Sequence, residues 1–523
     1  MNLTSTWRLA SGSRSWRAIA LVVTVTAVMA IVSTYHVFNN MYDEPAVVAA
    51  GMEWVSRHSY TYEPQHPPLG RIAAAIGPFL SGGRHIGESL MYVEGRRILG
   101  SGEHYWHMLT LARVGELPFF VILLFTTWYW AKRLANERAA ALAVFFAAAN
   151  PNILAHAGIA GIDIGPAAFM PAALLAWTMW LEEPSLRRSV ALGALAAVAG
   201  LTKFTALAYW LPAAIGVAIF VVARRRRETD RAQGTRLTRP ILVAVAIAAV
   251  ITWATYRFSV GRVGPLVLPA PEFFEGLGAF FRRGARGHPA YLLGRVRVGG
   301  WWYYDLVVVL VKTPLPLLVL GGLGCWVAIR SRAPEAIAAV LGIGSVLLIA
   351  TVTPVDIGVR LLLPMYPLLA ILAALGFAWA WERARTVATK FAVAALLVWT
   401  AIEPVSMHPD HIAYFNQLAG PEPERVLVDS NLDWGQDLYR LRDAVTDLRM
   451  DSVRVHYFGT AEFSAVGLEH ARRLRPNERA TGWVAASETF YAGVWADSAL
   501  NWLHAFTPVG RVGHSIRLYY IKP

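Results

Sequence analysis

Three groups of polar residues in an otherwise apolar chain are of types that do chemistry. The first is "NNMYDEPAVV" (39–48), where Asp43 and Glu44 directly precede Pro45. Proline suits the first position of a helix, so both acids fall at a helix N-terminus, where the dipole favours the ionised carboxylate. An aspartate kept ionised there is a base able to take a proton from a hydroxyl. The same placement also describes a helix cap, and spacing alone leaves both readings open. The second group is "HPPLGR" (66–71). Pro68 opens a helix and puts Arg71 in its first turn, and a guanidinium beside a helix N-terminus is an anion site suited to phosphate or diphosphate. An arginine that snorkels to lipid headgroups is the competing reading. The third is "HAGIAGIDIGPAAF" (156–169), which sets Asp163 at the mouth of an apolar run, where charges are as a rule functional.

Those residues need elements to hold them, and composition says which. The chain has 523 residues, 56% of them hydrophobic and 16% charged, with a mean hydropathy of +0.42. Apolar stretches of about 17–25 residues recur, the length of a helix crossing a bilayer. The expected fold is a mostly α, polytopic membrane bundle of about eleven spans. They are placed near 18–38, 113–131, 139–156, 164–181, 189–206, 208–223, 240–258, 305–329, 335–353, 361–381 and 388–406. The N-terminus (Arg8, Arg14, Arg17, then apolar from Ala18) is read as an uncleaved first span, since its apolar core is long and lacks a small-x-small cleavage site.

The net charge of +13 orients the chain rather than pointing to nucleic acid. "KRLANER" (132–138), "LEEPSLRR" (181–188), "RRRRETDRAQGTRLTR" (224–239), "RSR" (330–332) and "WERARTVATK" (381–390) all fall on the side of the N-terminus. By the positive-inside rule that side is cytoplasmic, and the expected home is a cell (inner) membrane. Cys325 is the single cysteine and lies in an apolar run, so no disulfide framework or thiolate metal site is expected.

Three larger segments then face outward: 39–112, 259–304 and the tail 407–523. The expected division is a membrane domain (1–406), with its chemistry in the first outer loop, and a small α/β domain (407–523) on the outer face. In that tail "RVLVDS", "SVRVHYFG" and "SIRLYYI" read as strands. A helix between the first two carries Trp434, Leu438, Leu441, Val445 and Leu448 on one face. "DSNLDWGQD" (429–437) spaces Asp429, Asp433 and Asp437 four apart, between strand and helix, where Asp and Asn are favoured as caps.

The ordered set of Asp-Glu, then His-Pro-Pro-Leu-Gly-basic, then an Asp at the start of the fourth span resembles the GT-C glycosyltransferases of family 39. That family includes protein O-mannosyltransferases and lipid A aminoarabinose transferases. "GWWYYDLVVVLVKTPLPLLVL" (300–320), "DIGVRLLLPMYPLLAILA" (356–373) and "AYFNQLAGPEPERVLVDSNLDWGQDL" (413–438) resemble a bacterial branch of it. The likeness is patchy over 35–440.

It implies an inverting transferase that uses a polyprenyl-phosphate sugar on the outer, periplasmic face. Asp43 would be the base that deprotonates an acceptor hydroxyl, Glu44 would hold the neighbouring loop, and Asp163 would be a second acid facing the acceptor. Cations should stabilise charge on the leaving phosphate. The candidates are Arg71, Arg360 in "IGVRLLLP", Lys312 in "VKTPLP" and Lys203 in "GLTKFTAL", both lysines also reading as snorkelling residues. Tyr42 and His66 would line the donor and acceptor pocket. Asp433, Gln436 and Asp437 would hang over it as a lid, hydrogen-bonding an acceptor glycan. Arg71 stands where many mannosyltransferases have Lys, and the tail lacks a β-trefoil insertion, so protein is not carried over as acceptor; glycan, lipid and protein stay open.

His66, His85, His104 and His107, with Glu63, Glu88 and Glu103 nearby, make a divalent metal conceivable. Only His104-x-x-His107 is closely spaced, so no metal is expected to be required. The arginines at 282–286 with "FFEGLGAFFRR" read as an amphipathic outer helix facing anionic headgroups or the donor phosphate. A glycolipid transporter is the competing function; it would place charges at mid-membrane and show repeats, and no internal repeat stands out. A non-catalytic scaffold of envelope glycan assembly is the other, and it does not require the acids and cations to converge.

Overall fold

The computed structural model describes residues 13–228, 238–475, 478–495 and 500–522. Arg8 and the basic stretch 229–237 lie outside them. Eight helices among the described residues are long and apolar enough to cross a membrane, and two bent pairs raise the count to ten. The chain is a multi-pass membrane protein. The expectation of eleven spans differs at one segment: helix Leu186–Thr202 has only 17 residues and stops where Lys203 turns extended.

Both bends follow from proline. Glu137–Ala148 and Pro151–Ala157 meet at 68°, and Tyr304–Lys312 meets Leu315–Ser331 at 114°. Pro151 and Pro314 push the residue before them out of the helical region, which breaks the span there.

The centre of the bundle is helix Met365–Arg383, buried from Met365 to Ala378. It packs on Leu315–Ser331 through small residues, as membrane helices do. A Cβ on Gly324 would stand 1.8 Å from Leu372 O, and one on Gly376 2.1 Å from Leu320 O.

The basic connections gather at one end. Arg17 and Lys132 both pair with Glu137 (2.7 and 2.8 Å), Arg133 with Glu335 (2.5 Å) and Arg188 with Glu183 (2.8 Å). Arg138 lies over the Trp16 and Trp381 rings.

The opposite end carries three layers. Segment 39–112 folds in part as helices Glu44–Arg57, Pro68–Leu80 and Met91–Leu99. They meet at glycines: a Cβ on Gly51 would lie 2.0 Å from Arg71 O, and one on Gly95 1.9 Å from Pro45 O. The second layer is the amphipathic helix Pro271–Arg286 between two hairpins, Val260–Val263 with Leu266–Pro269 and Pro289–Leu292 with Arg295–Val298.

The third is the tail. Its sheet runs Ala471–Arg473, Val453–His456, Gly482–Ser487, Ile516–Ile521, Gly510–Val512, the first two pairings parallel and the others antiparallel. Two of the three expected strands form. "RVLVDS" does not: it lies between the 3-10 turns Pro423–Arg425 and Asp429–Asn431, and the positive φ of Asp429 (58°) takes it off any ladder. The tail helix starts at Leu438, so Trp434 precedes it and does not share its face.

Candidate active site

At this end of the bundle, opposite the basic connections, four charged side chains meet in one line. Asp43 stands at the start of helix Glu44–Arg57 but makes no capping bond to it. Its Oδ2 instead accepts from Arg360 Nη1 (2.9 Å). Arg360 Nε donates to Asp163 Oδ2 (3.0 Å), and Lys203 Nζ donates to Asp163 Oδ1 (2.5 Å). Breaks in regular structure deliver each group. Asp163 lies just ahead of helix Ile164–Glu182, Lys203 separates two helices, and Arg360 is in the turn Val359–Leu361 that follows Gly358. The Arg360 guanidinium lies over the Trp434 ring, 4.3 Å from its centre.

Burial grades along this line. Lys203 and Asp163 are 5% and 3% exposed, whereas the Asp43 side chain keeps 32% of its surface open. Burial opposes the Asp163 carboxylate, but Arg360 and Lys203 outweigh it and hold the group well below the usual carboxylate range. Arg360 is driven the other way: burial works against its charge, and Asp163 and Asp43 more than restore it. The ion pairs fix both charges in place, and the outermost carboxylate stays accessible.

Other titratable groups surround Asp43. Burial, with the Asp43 charge adding, pushes the Glu63 carboxyl up to about 7. Burial, with Lys203 and Arg283 adding, pushes His66 down to about 3, so it is neutral at neutral pH. The Tyr42 ring stacks on Phe458 (5.1 Å between centres) and meets Tyr92 edge-on at 5.5 Å. Its hydroxyl is raised by burial and then by Asp43 and Asp429, which puts it in the field of both. Arg283, exposed on the amphipathic helix, adds positive potential at Glu63 and His66.

The sequence-predicted residues divide accordingly. Asp43, Asp163, Arg360 and Lys203 come together, with Tyr42 and His66 beside them. Glu44 does not face the opening. It is fully buried, takes Arg113 Nε and Nη2 (2.9 Å each), and accepts the N–H groups of Met41 (2.7 Å) and Ala160 (2.8 Å). With its acceptor capacity filled from inside, it positions the Asp43 segment against the 158–161 turn.

Arg71 is turned inward, 1% exposed, donating to Tyr62 O and Glu63 O (2.8 Å each) and lying on the Tyr60 ring. It braces the 60–63 loop, with both Nη groups taken up by its carbonyls. Lys312 is also fully buried: Nζ donates to Ile412 O (2.8 Å) and Asn431 O (2.7 Å), stapling the tail to the bundle.

The lid expected from Asp433, Gln436 and Asp437 is corrected by the same criterion. Asp433 accepts from Gly435 N (3.1 Å) and Thr489 N (2.9 Å), Gln436 bridges Trp434 N and Leu432 O, and Asp437 takes Ser515 Oγ (2.8 Å) and Arg440 Nη1 (3.0 Å). All three are buried and shape the turn from within. What the turn presents to the site is Trp434, under Arg360, and Asp429, whose charge acts on Arg360, Asp43 and Tyr42. Neither carried a sequence signal that separated it from its neighbours. From sequence, Glu63 reads only as a neighbour of a conceivable metal site. Among the described residues no three His, Cys, Asp or Glu side chains are grouped to hold a metal. His107 lies against Ser81 (2.8 Å) and His85 against Glu94 (2.8 Å).

With this geometry on view, known proteins show likenesses of sequence and of fold. The family model described as dolichyl-phosphate-mannose-protein mannosyltransferase matches residues 106–260. The crystal structure of ArnT from Cupriavidus metallidurans in the apo state aligns with a TM-score of 0.51 at 15% identity, over 95% of this chain and 97% of that one. The same protein bound to undecaprenyl phosphate aligns with a TM-score of 0.51 at 16% identity, with the same coverages. A more distant likeness, TM-score 0.46 at 13% identity over 94% of this chain and 72% of the other, is to the Archaeoglobus fulgidus oligosaccharyltransferase in its apo form. No curated protein matches the chain by sequence. The fold is therefore the membrane GT-C fold. Within that class it is of the ArnT type, shared over nearly the whole length of both chains.

Proposed function

We propose that this protein is a membrane glycosyltransferase that moves a sugar from a polyprenyl-phosphate donor to an acceptor hydroxyl, with Asp43 as general base. The observation that carries it is the line Asp43–Arg360–Asp163–Lys203, accessible at the Asp43 end. The solved ArnT with undecaprenyl phosphate supports the choice of lipid carrier, and the mannosyltransferase family match supports sugar transfer.

The acceptor hydroxyl gives its proton to Asp43 as its oxygen bonds the anomeric carbon. The bond from that carbon to the phosphate oxygen breaks, and its electron pair leaves with polyprenyl phosphate. Attack from the face opposite the phosphate inverts the anomeric centre. Arg360 is preorganised to steady the developing negative charge because Asp163 already holds its Nε edge, so little reorganisation is needed as the bond breaks. Lys203 supports it through Asp163, and Arg283 faces the same region from the amphipathic helix. With positive charge supplied by side chains, transfer proceeds without a divalent metal.

With the basic end in the cytoplasm, the site opens on the periplasmic face, where a lipid-linked donor is presented. The charges lie at helix ends at the mouth of the bundle, which suits a transferase rather than a transporter. The test is the full chain in lipid bilayers given labelled polyprenyl-phosphate sugars, with and without EDTA. Release of polyprenyl phosphate in both conditions is expected. Intact donor under every condition would return the transporter and scaffold readings.

A further inference from the structure

The turn Asp429–Asn431 is clamped to the loop that carries Arg360. Val359 N donates to Asn431 Oδ1 (3.0 Å), and Ser430 Oγ donates to Ile357 O (2.8 Å). A Cβ on Gly358 (φ 85°) would stand 2.2 Å from Asn431 Oδ1, so the two loops approach as closely as only glycine allows. A second bracket joins the hairpin of the middle outer segment to the same place. Leu293 N donates to Val426 O (3.0 Å), and His288 N donates to Pro354 O (3.2 Å). Together they bring Asp429 and His288, from segments far apart in sequence, to one wall beside Arg360 and Asp43.

Both groups offer an unused acceptor. Asp429 takes φ 58°, a backbone state that aspartate tolerates better than most residues. Its Oδ1 accepts Ser430 N (2.5 Å), and its Oδ2 has no partner among the described residues. His288 Nδ1 lies 2.9 Å from Pro289 O. A carbonyl can only accept, so Nδ1 carries the proton and Nε2 keeps a free lone pair. Next to His288 the Trp495 ring meets it edge-on, centres 4.8 Å apart, and is 44% exposed. Burial raises the Asp429 carboxyl, and the Arg360 charge pulls it back toward the charged form.

Two neighbouring acceptors beside an open indole suit a ligand with several hydroxyl donors and a flat C–H face. A pyranoside ring has both. An acyl chain would leave both acceptors without donors, which buried polar groups resist; a seryl or threonyl peptide, whose N–H and O–H could serve them, lacks the flat C–H face that the indole would stack on.

We propose that Asp429, His288 and Trp495 form a saccharide subsite on the acceptor side, with Asp429 a specificity-determining residue. The acceptor is then a glycan or glycolipid headgroup. This rests on the reading of Asp43 as base, since it places the acceptor hydroxyl between Asp43 and this wall.

The test uses the full chain in nanodiscs and saturation-transfer NMR with methyl α-mannopyranoside, methyl β-glucopyranoside and methyl α-arabinopyranoside. A serine-containing hexapeptide serves as the contrasting probe, and undecaprenyl phosphate binding is measured on the same samples. Saturable millimolar binding of at least one glycoside, and none of the peptide, is expected. Asp429→Gly, which suits the positive φ, and Trp495→Ala each weaken glycoside binding tenfold or more, Asp429→Asn recovers part of it, and the undecaprenyl phosphate affinity of Trp495→Ala stays within twofold of wild type. Failure of every glycoside to bind, binding of the peptide, or wild-type affinity in Asp429→Gly would overturn the subsite. A wild type that binds glycoside but not undecaprenyl phosphate would uphold the subsite and remove the donor reading instead.

Discussion

Replacing Glu44 by Gln keeps the side-chain volume and removes one charge from a fully enclosed pair. The structure allows the cost to be worked through. Glu44 is 0% and Arg113 1% exposed, so water cannot take over for either. Arg113 also donates to Tyr35 O (3.1 Å), Phe38 O (3.0 Å) and Asn39 O (2.9 Å), so it cannot swing out to solvent without releasing that turn. Breaking a buried pair from one side costs about 3–5 kcal/mol. The glutamine amide also turns a donor toward N–H groups, and each acceptor lost there costs about 1–3 kcal/mol. Relaxation shares some of these terms, so a net loss of about 4 kcal/mol is the working figure.

At roughly 2 °C per kcal/mol for a large chain, the apparent Tm should fall by about 8 °C. The assay is thermal unfolding of the purified protein in nanodiscs, with Glu44→Gln, Arg113→Gln and the double variant closing a cycle. The coupling between the two sites should reach about 1.5 kcal/mol or more, as for residues in direct contact. A shift under 2 °C in Glu44→Gln, or a coupling indistinguishable from zero, would refute the reasoning that this pair locks the Asp43 segment in place.

Other expectations follow from the same contacts. Gly95→Ala puts a methyl against Pro45 O, 1.9 Å from its ideal position; overpacking there should cost about 1–3 kcal/mol and, by shifting the residues after Asp43, lower kcat more than it raises KM. Lys312→Met should leave undecaprenyl phosphate affinity within threefold but lower Tm, because two carbonyls of the tail lose their donor; a tenfold loss of lipid affinity would restore Lys312 as a phosphate ligand. Burial pushes the Asp433 carboxyl up to about 8, against hydrogen bonds from Thr489 and Gly435. The folded state then holds a proton that the unfolded state has released, so between the ordinary carboxylate range near 4 and about 8 stability falls as pH rises. Melting should be several degrees lower at pH 8.5 than at pH 5.5, and Asp433→Asn should flatten that slope.

The sequence located the membrane spans and the site's charged line for a physical reason. Apolar run length alone predicts a span, and Asp163, Arg360 and Lys203 stand out because few charges occur within or beside such runs. It misjudged residues whose role depends on the direction a side chain takes. Arg71 follows a helix-opening proline just as a phosphate ligand would, yet its guanidinium folds back onto Tyr62 and Glu63. Asp429, Asp433 and Asp437 share one type and one spacing, and only Asp429 is left with an unpaired oxygen, because Thr489, Gly435, Ser515 and Arg440 occupy the other two. Thr489 and Ser515 are 56 and 78 residues away in sequence, beyond any local pattern. The missing strand at "RVLVDS" has a similar cause: its backbone is taken up by Leu293, which donates to Val426 O, and by Thr489, whose hydroxyl accepts from Asp429 N, and alternation of side chains does not register those partners.

The central claim is that Asp43 takes the acceptor proton. Asp43→Asn preserves shape and can still accept from Arg360 Nη1, so folding and donor binding should survive while the base is lost. Measured with a labelled polyprenyl-phosphate sugar that wild type consumes, transfer should drop by about 10²–10⁴-fold, with Tm and undecaprenyl phosphate affinity near wild type. Transfer by Asp43→Asn at the wild-type rate would contradict the account.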